Sequence, residues 1–219
     1  MHRKWYVLYV YKDDKDDLAE HSHVQLSAIA SLHDRHYIHR DVKPSNFTVR
    51  VDDVGPSIFL IDFGLARQFR NPATYLHIQY TKNPSVVGTL PFTSVNGQRG
   101  DAQSRRDDLE SLAYTIIFLA RGDLPWIIDS ICGDRDAVLQ KKMLITAEEL
   151  CEGLPPPLSE FVTYVRSLSF DKKPDYNHLH NILSQCSQTD QPSEALIAPC
   201  EPPPPPLRAN RMPSPSNRV

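Results

Sequence analysis

The chain has 219 residues, 40% hydrophobic and 23% charged, with a formal net charge of −3. That supports one domain with a substantial core and argues against wholesale disorder or a generally basic nucleic-acid binder. Four cysteines (Cys132, Cys151, Cys186 and Cys200) lie far apart with no C-x-x-C pair, which removes a zinc ribbon or dense disulfide scaffold and suits a reducing compartment.

Residues 4–11 have the composition of a strand, and residues 12–20 form a mixed-charge stretch with five acids and two lysines. Val24, Leu26, Ile29 and Leu32 fall near helical spacing, which predicts a helix over residues 22–35. Two β-branched and aromatic runs, 47–51 and 57–61, flank Asp52-Asp53-Val54-Gly55-Pro56, the pattern of a hairpin. Residues 65–103 are polar and proline-punctuated with little periodicity, so they read as a long ordered loop. Ser104, with Asp107 three residues on, opens a strong helix. Leu109, Leu112, Ile116 and Leu119 form its stripe, Ala113, Ile117 and Ala120 widen it, and Gly122 ends it. Thr146 with Glu149 repeats the capping pattern, and residues 161–168 and 176–183 read as further helices. Nine of the 19 prolines lie beyond about residue 189, which marks a disordered tail. The expected organisation is an N-terminal segment over 1–21, a folded domain over 22–188 and the tail over 189–219.

His39-Arg40-Asp41 is followed by Lys43, Pro44 and Asn46 just before the first hairpin strand, and Asp62-Phe63-Gly64 sits directly after the second. These residue types suit phosphoryl transfer, which needs positioning and charge neutralisation more than covalent chemistry. A carboxylate at Asp41 can accept the hydrogen bond of a substrate hydroxyl, and Lys43 can neutralise the moving phosphoryl group. Asn46 and Asp62 are hard oxygen ligands suited to Mg²⁺ beside nucleotide phosphates.

The set resembles the catalytic loop and metal-binding motif of protein kinases, and further stretches resemble the casein kinase I family. These are Val87-Gly88-Thr89, Ser94-Val95-Asn96, Gln103 through Leu112, Leu124-Pro125-Trp126, Cys151-Glu152-Gly153-Leu154-Pro155 and Lys173-Pro174-Asp175-Tyr176. The resemblance covers roughly residues 22–184. It implies a mainly α fold, a kinase-like C-terminal lobe with a small β-hairpin, that transfers the γ-phosphoryl group of ATP, with Mg²⁺, to serine or threonine of protein substrates. It makes Asp41 the base, Lys43 the phosphate contact, and Asn46 and Asp62 the metal ligands. Ile61 and Thr48 would line the nucleotide site, Thr48 replacing a larger apolar residue. His39 and Arg40 would be structural supports, and Asp108 the buried brace of the catalytic loop. As a first-turn acid, Asp108 also suits the helix dipole.

Two departures stand out. Pro91-Phe92 replaces the family's common Arg-Tyr, and proline cannot supply bidentate phosphate contacts, so weak preference for pre-phosphorylated substrates is expected. The second concerns the β-rich N-terminal lobe, whose strands, helix and connections need about 70 residues. Only 21 residues precede the first matched helix, the first glycine is Gly55, and Lys4, Lys12 and Lys15 have no matching strand context, so that lobe is expected to be missing. Three readings follow. The sequence is an incomplete kinase; or it is a non-catalytic binding module built on the helical lobe and tail; or another chain supplies the cover in trans through an interface of at least ~1,000 Å². The intact Asp41, Lys43, Asn46 and Asp62 favour the first. As written, the chain is expected to show little or no activity, an uncovered apolar face and self-association.

In the tail, Pro203-x-x-Pro206-x-Arg208 has the form of an SH3-domain ligand, the plainer reading being a solvated spacer. Ser214 lies between two prolines, where a phosphosite is common in disordered segments. The nine histidines form no metal set, and His21, His23, His178 and His180 read as surface residues. No apolar run approaches ~18 residues, and residues 5–11 are followed by Asp13 to Asp17 instead of a small-residue cleavage site. No membrane or nucleic-acid partner and a cytoplasmic or nuclear location are therefore expected.

Overall fold

A computed structural model of the chain describes residues 4–7, 15–52, 55–82 and 86–186. Lys12, Cys200, the Pro203-to-Arg208 motif and Ser214 lie outside these residues.

The first helix, α1 (Lys15–Asp34), begins seven residues before the expected start at residue 22. Its buried stripe comprises Leu18, Ser22, Gln25, Leu26, Ile29 and His33. Ala19 is buried beside them. Before residue 22 only Leu18 and Ala19 are buried among the described side chains, within the mixed-charge stretch, so apolar periodicity did not reveal the first turns. Ser22 can be buried because its hydroxyl donates to the Leu18 carbonyl at 2.6 Å.

The expected hairpin is part of a three-stranded antiparallel sheet. β1 (Lys4–Val7) pairs with β3 (Phe47–Asp52), which pairs with β4 (Gly55–Leu60). Thr48 stands opposite Val7 on one side and Phe59 on the other. The strands run to Asp52 and Gly55, so the connection is tighter than the five-residue gap read from sequence. A second, two-stranded sheet joins β2 (Tyr37–Ile38) to β5 (Arg67–Gln68) and ties the start of the long loop back to the end of α1.

The long loop also holds a short helix, α2 (Val95–Gln98), before the central helix α3 (Arg105–Arg121). The capping expectation for α3 is met: the Asp107 carboxylate accepts from the Ser104 backbone N–H at 2.7 Å. Gly122 closes the helix at φ 83°, a left-handed conformation that suits glycine. Leu109, Leu112, Tyr114, Ile116 and Ile117 are almost fully buried, each large apolar side chain contributing ~1.5–3 kcal/mol. Then follow α4 (Ile127–Ile131), α5 (Arg135–Leu144), α6 (Ala147–Leu150), α7 (Pro157–Ser167) and α8 (Tyr176–Gln185). Thr146 caps α6 as read, its hydroxyl accepting from the Glu149 N–H at 3.1 Å. α4 and α5 carry few buried apolar residues (Val138 is one), so sequence periodicity missed them. α3 packs against α1 and α7, and α8 packs against both of those.

His23 and His180, read as surface residues, are half-buried and face each other. They meet across α1 and α8, Nδ1 to Nδ1 at 2.9 Å with near-coplanar rings, and Ser184 Oγ lies 3.1 Å from His23 Nε2.

Candidate active site

After β2 the chain turns sharply, with Arg40 at φ 66°. A left-handed arginine costs on the order of 1 kcal/mol and must be held by its surroundings. Asp108, buried in the first turn of α3, provides the hold. Its Oδ2 accepts from the His39 backbone N–H at 2.6 Å, and its Oδ1 accepts from the Arg40 N–H at 2.8 Å. His33 Nε2 lies 2.9 Å from the same carboxylate, and His33 Nδ1 is 2.6 Å from the Tyr176 hydroxyl. A proton on Nε2 lets His33 donate to Asp108 and accept from Tyr176. The Arg40 side chain folds back, its Nε donating to the Leu65 carbonyl at 2.7 Å.

One residue on, Asp41 is 9% exposed and carries a dense set of partners. Lys43 Nζ is 2.7 Å from Oδ2, and the Thr89 hydroxyl donates to Oδ1 at 2.7 Å. Lys43 also donates to Thr89 Oγ1 at 2.8 Å, closing a triangle. A 3₁₀ turn, Pro44–Asn46, carries Asn46 under the loop, where its Nδ2 donates to the Asp41 carbonyl at 2.8 Å. Burial pushes the Asp41 pKa up, but Lys43, Thr89 and Asn46 outweigh it, and the carboxyl titrates below its ordinary value. Thr89 reaches Asp41 because Gly88 packs on the Arg40 backbone. At φ 108°, a Cβ there would meet the Arg40 carbonyl at 2.7 Å.

Asp62 follows β4 and is joined to the same unit through backbone. The Ile61 N–H donates to the Asn46 carbonyl at 2.9 Å, and His39 Nε2 contacts the Ile61 carbonyl at 3.0 Å. Asp62 itself is left-handed at φ 62°, exposed, and accepts from the Gly64 N–H at 3.3 Å. Phe63 stands edge-on to His39 at 5.3 Å. Ile61 is 38% exposed, and Thr48 is half-buried in β3. With its amide nitrogen used on Asp41, Asn46 has its Oδ1 left for a cation, and Asp62 offers an open carboxylate. Among the described residues no group of three or more His, Cys, Asp or Glu is placed to hold a metal. Asn46 and Asp62 are thus a partial oxygen set, the kind Mg²⁺ completes with phosphate oxygens and water.

The sequence-expected residues Asp41, Lys43 and Asn46 are in mutual contact; Asp62 is joined to Asn46 through the neighbouring Ile61, and Asp108 and His39 support the loop from behind. Sequence reasoning missed Thr89 and His33 as members. Thr89 carried a signal, its place directly after Gly88 in a proline-punctuated loop; His33 carried none, since it reads as one more helix histidine.

A family model of the protein kinase domain matches residues 13–192. That match takes in α1, strands β2 to β5 and every helix through α8, and leaves out β1. It spans well over half of the 219 residues, and the chain belongs to the protein kinase family.

Proposed function

We propose that this is a protein serine/threonine kinase of casein kinase I type. The observation that carries the reading is the Asp41 carboxylate held between Lys43 and Thr89, each at 2.7 Å, with Asn46 beneath the same loop. Casein kinase I type rests on the long-loop and helix motifs around Ser94-Val95-Asn96 and Asp107-Asp108-Leu109-Glu110. In this reading the described residues are the helical, loop-bearing part of a kinase domain, supported by eight helices against two small sheets among them.

Bound Mg²⁺–ATP supplies the phosphoryl group and the neutralising charge. In this reading Asp41, kept ionised by its three partners, accepts the hydroxyl proton of a serine or threonine side chain and orients its oxygen. Lys43, 2.7 Å from the Asp41 carboxylate, would offset negative charge there. Asn46 and Asp62 hold the metal, Ile61 and Thr48 line the nucleotide site, and Asp108 with His39 and Arg40 keeps the loop in place.

The test is phosphoryl transfer by the protein captured from its natural source, with serine, threonine and tyrosine peptides, against an Asp41→Asn variant. Transfer to serine or threonine peptides alone, lost in the variant, is the expected result. Transfer that survives Asp41→Asn, or that prefers tyrosine, overturns the reading. Mass spectrometry of the same captured protein reads its N-terminal peptides directly.

A further inference from the structure

Lys142 on α5 is 1% exposed, a rare position for a lysine. Its Nζ donates to the Leu90 carbonyl at 2.8 Å, the Thr93 carbonyl at 2.7 Å and Gln98 Oε1 at 3.2 Å. Three acceptors match the three N–H bonds of an ammonium. The same nitrogen lies 5.3 Å from the Tyr114 ring centre and 5.4 Å from that of Trp126. Burial draws the Lys142 pKa down to about 7, with Glu110 acting to raise it and Arg166 to lower it.

The acceptors all belong to the long loop or to α2 at its end. Between Leu90 and Thr93 the chain makes a turn in which the Phe92 and Thr93 N–H groups both donate to the Thr89 carbonyl, at 2.9 and 3.0 Å. Thr93 Oγ1 donates to the same oxygen at 3.0 Å. Thr89 is therefore gripped from one side through its carbonyl, while on the other its hydroxyl bridges Lys43 and Asp41. Trp126 Nε1 adds a pin to the middle of the turn, donating to the Pro91 carbonyl at 2.8 Å. An ammonium needed only to fill space in α5 would not have two loop carbonyls and a loop-end amide converging on it.

We propose that Lys142 is a positioning residue: by binding Leu90, Thr93 and Gln98 it fixes the Thr89-to-Thr93 turn and so seats the Thr89 hydroxyl on Asp41. The proposal rests on the reading of Asp41 as the site of phosphoryl transfer. Its test has one arm that needs no catalysis.

In the full chain, Lys142→Met keeps the stem and removes the charged donor. Hydrogen exchange should accelerate by about tenfold or more at the Phe92 and Thr93 amides while α7 and α8 exchange as before. Threonine-methyl NMR should show the Thr89 signal shifted or broadened. In the active protein, kcat should fall about tenfold with the KM for ATP unchanged, as expected for lost orientation and not lost binding. Where Lys142→Met fails to fold, Gln98→Leu removes one acceptor and should give a smaller effect on the same two amides. Unchanged exchange at those amides, or acceleration spread evenly over α3, α7 and α8, overturns the proposal. Protein captured from its natural source that transfers no phosphoryl group sinks the kinase reading instead, and the exchange and NMR results still decide what Lys142 holds.

Discussion

The Arg40 backbone N–H lies 2.8 Å from a carboxylate oxygen of Asp108, 68 residues further along the chain. That bond joins a strained residue to the first turn of the most buried helix. The candidate site residues Asp41 and Lys43 thus sit on a loop whose conformation is set by the core and not by the loop's own propensity. Asp41 comes next in the chain, so any loosening at Arg40 is passed directly to it.

Asp108→Asn replaces an accepting oxygen with an NH₂ group that faces backbone donors. At least one buried N–H is then unpaired, at a cost of about 3 kcal/mol for a charge-assisted bond. Urea unfolding should show the midpoint falling accordingly, and phosphoryl transfer should fall with it. A midpoint equal to that of the parent would remove Asp108 from its bracing role.

Asp41→Asn and Thr89→Val should separate by size. Losing the carboxylate that accepts the hydroxyl proton is expected to lower kcat by about 10²–10⁴-fold with the fold intact. Thr89→Val keeps the shape and removes the hydroxyl, so Asp41 remains but is less well oriented; a loss of about tenfold is expected. Steady-state kinetics on one peptide substrate would measure both, and equal losses would contradict the division of roles.

Asp62→Asn leaves a neutral oxygen where a divalent cation needs charge. The Mg²⁺ concentration for half-maximal rate should rise about tenfold or more. Titration of Mn²⁺ by electron paramagnetic resonance, in the presence of nucleotide, gives the same answer without turnover. Unaltered Mn²⁺ affinity would exclude Asp62 as a ligand.

The His23–His180 pair should make stability pH-dependent. Burial lowers the pKa of both rings, and for His180 the facing His23 lowers it further. Below about pH 6.5 the unfolded chain therefore binds more protons than the folded one, so stability rises with pH through this window and falls as pH drops. The unfolding midpoint should be lower at pH 5.5 than at pH 7.5, and His180→Phe should flatten that dependence. An equally steep dependence in the variant would show that other groups cause it.

Pro91 and Phe92 offer the substrate no cationic side chain. The Pro91 carbonyl is taken by Trp126, and Phe92 is buried edge-on against Phe118 at 5.5 Å. A phosphoserine placed upstream of the target residue should change kcat/KM by less than about threefold. Paired peptides with and without that phosphate would measure it, and a large advantage for the phosphopeptide would contradict it.

The grouping of the candidate site residues was legible where their pattern is local. His39 to Asn46 lie within a few residues of one another, and the strands that carry Asn46 and Asp62 to one place announce themselves by β-branched runs on either side of turn residues. The caps at Ser104 and Thr146 were legible for the same reason, since donor and acceptor are three residues apart. The beginning of α1 was not, because its first turns are mostly charged and bring only Leu18 and Ala19 to the core among the described side chains, too few to set a period. α5 escaped notice because one of its buried positions is Lys142.

By itself the sequence determined which groups could do the chemistry, because residue type and short spacing decide what a loop can bind. It could not decide which distant residues complete the set. Thr89 reaches Asp41 across 48 residues, His33 reaches Asp108 across 75, and Tyr176 reaches His33 across 143. Those partners are chosen by how α1, α3 and α8 pack, since a polar group carried into the core must find its hydrogen bond among whatever the packing brings beside it.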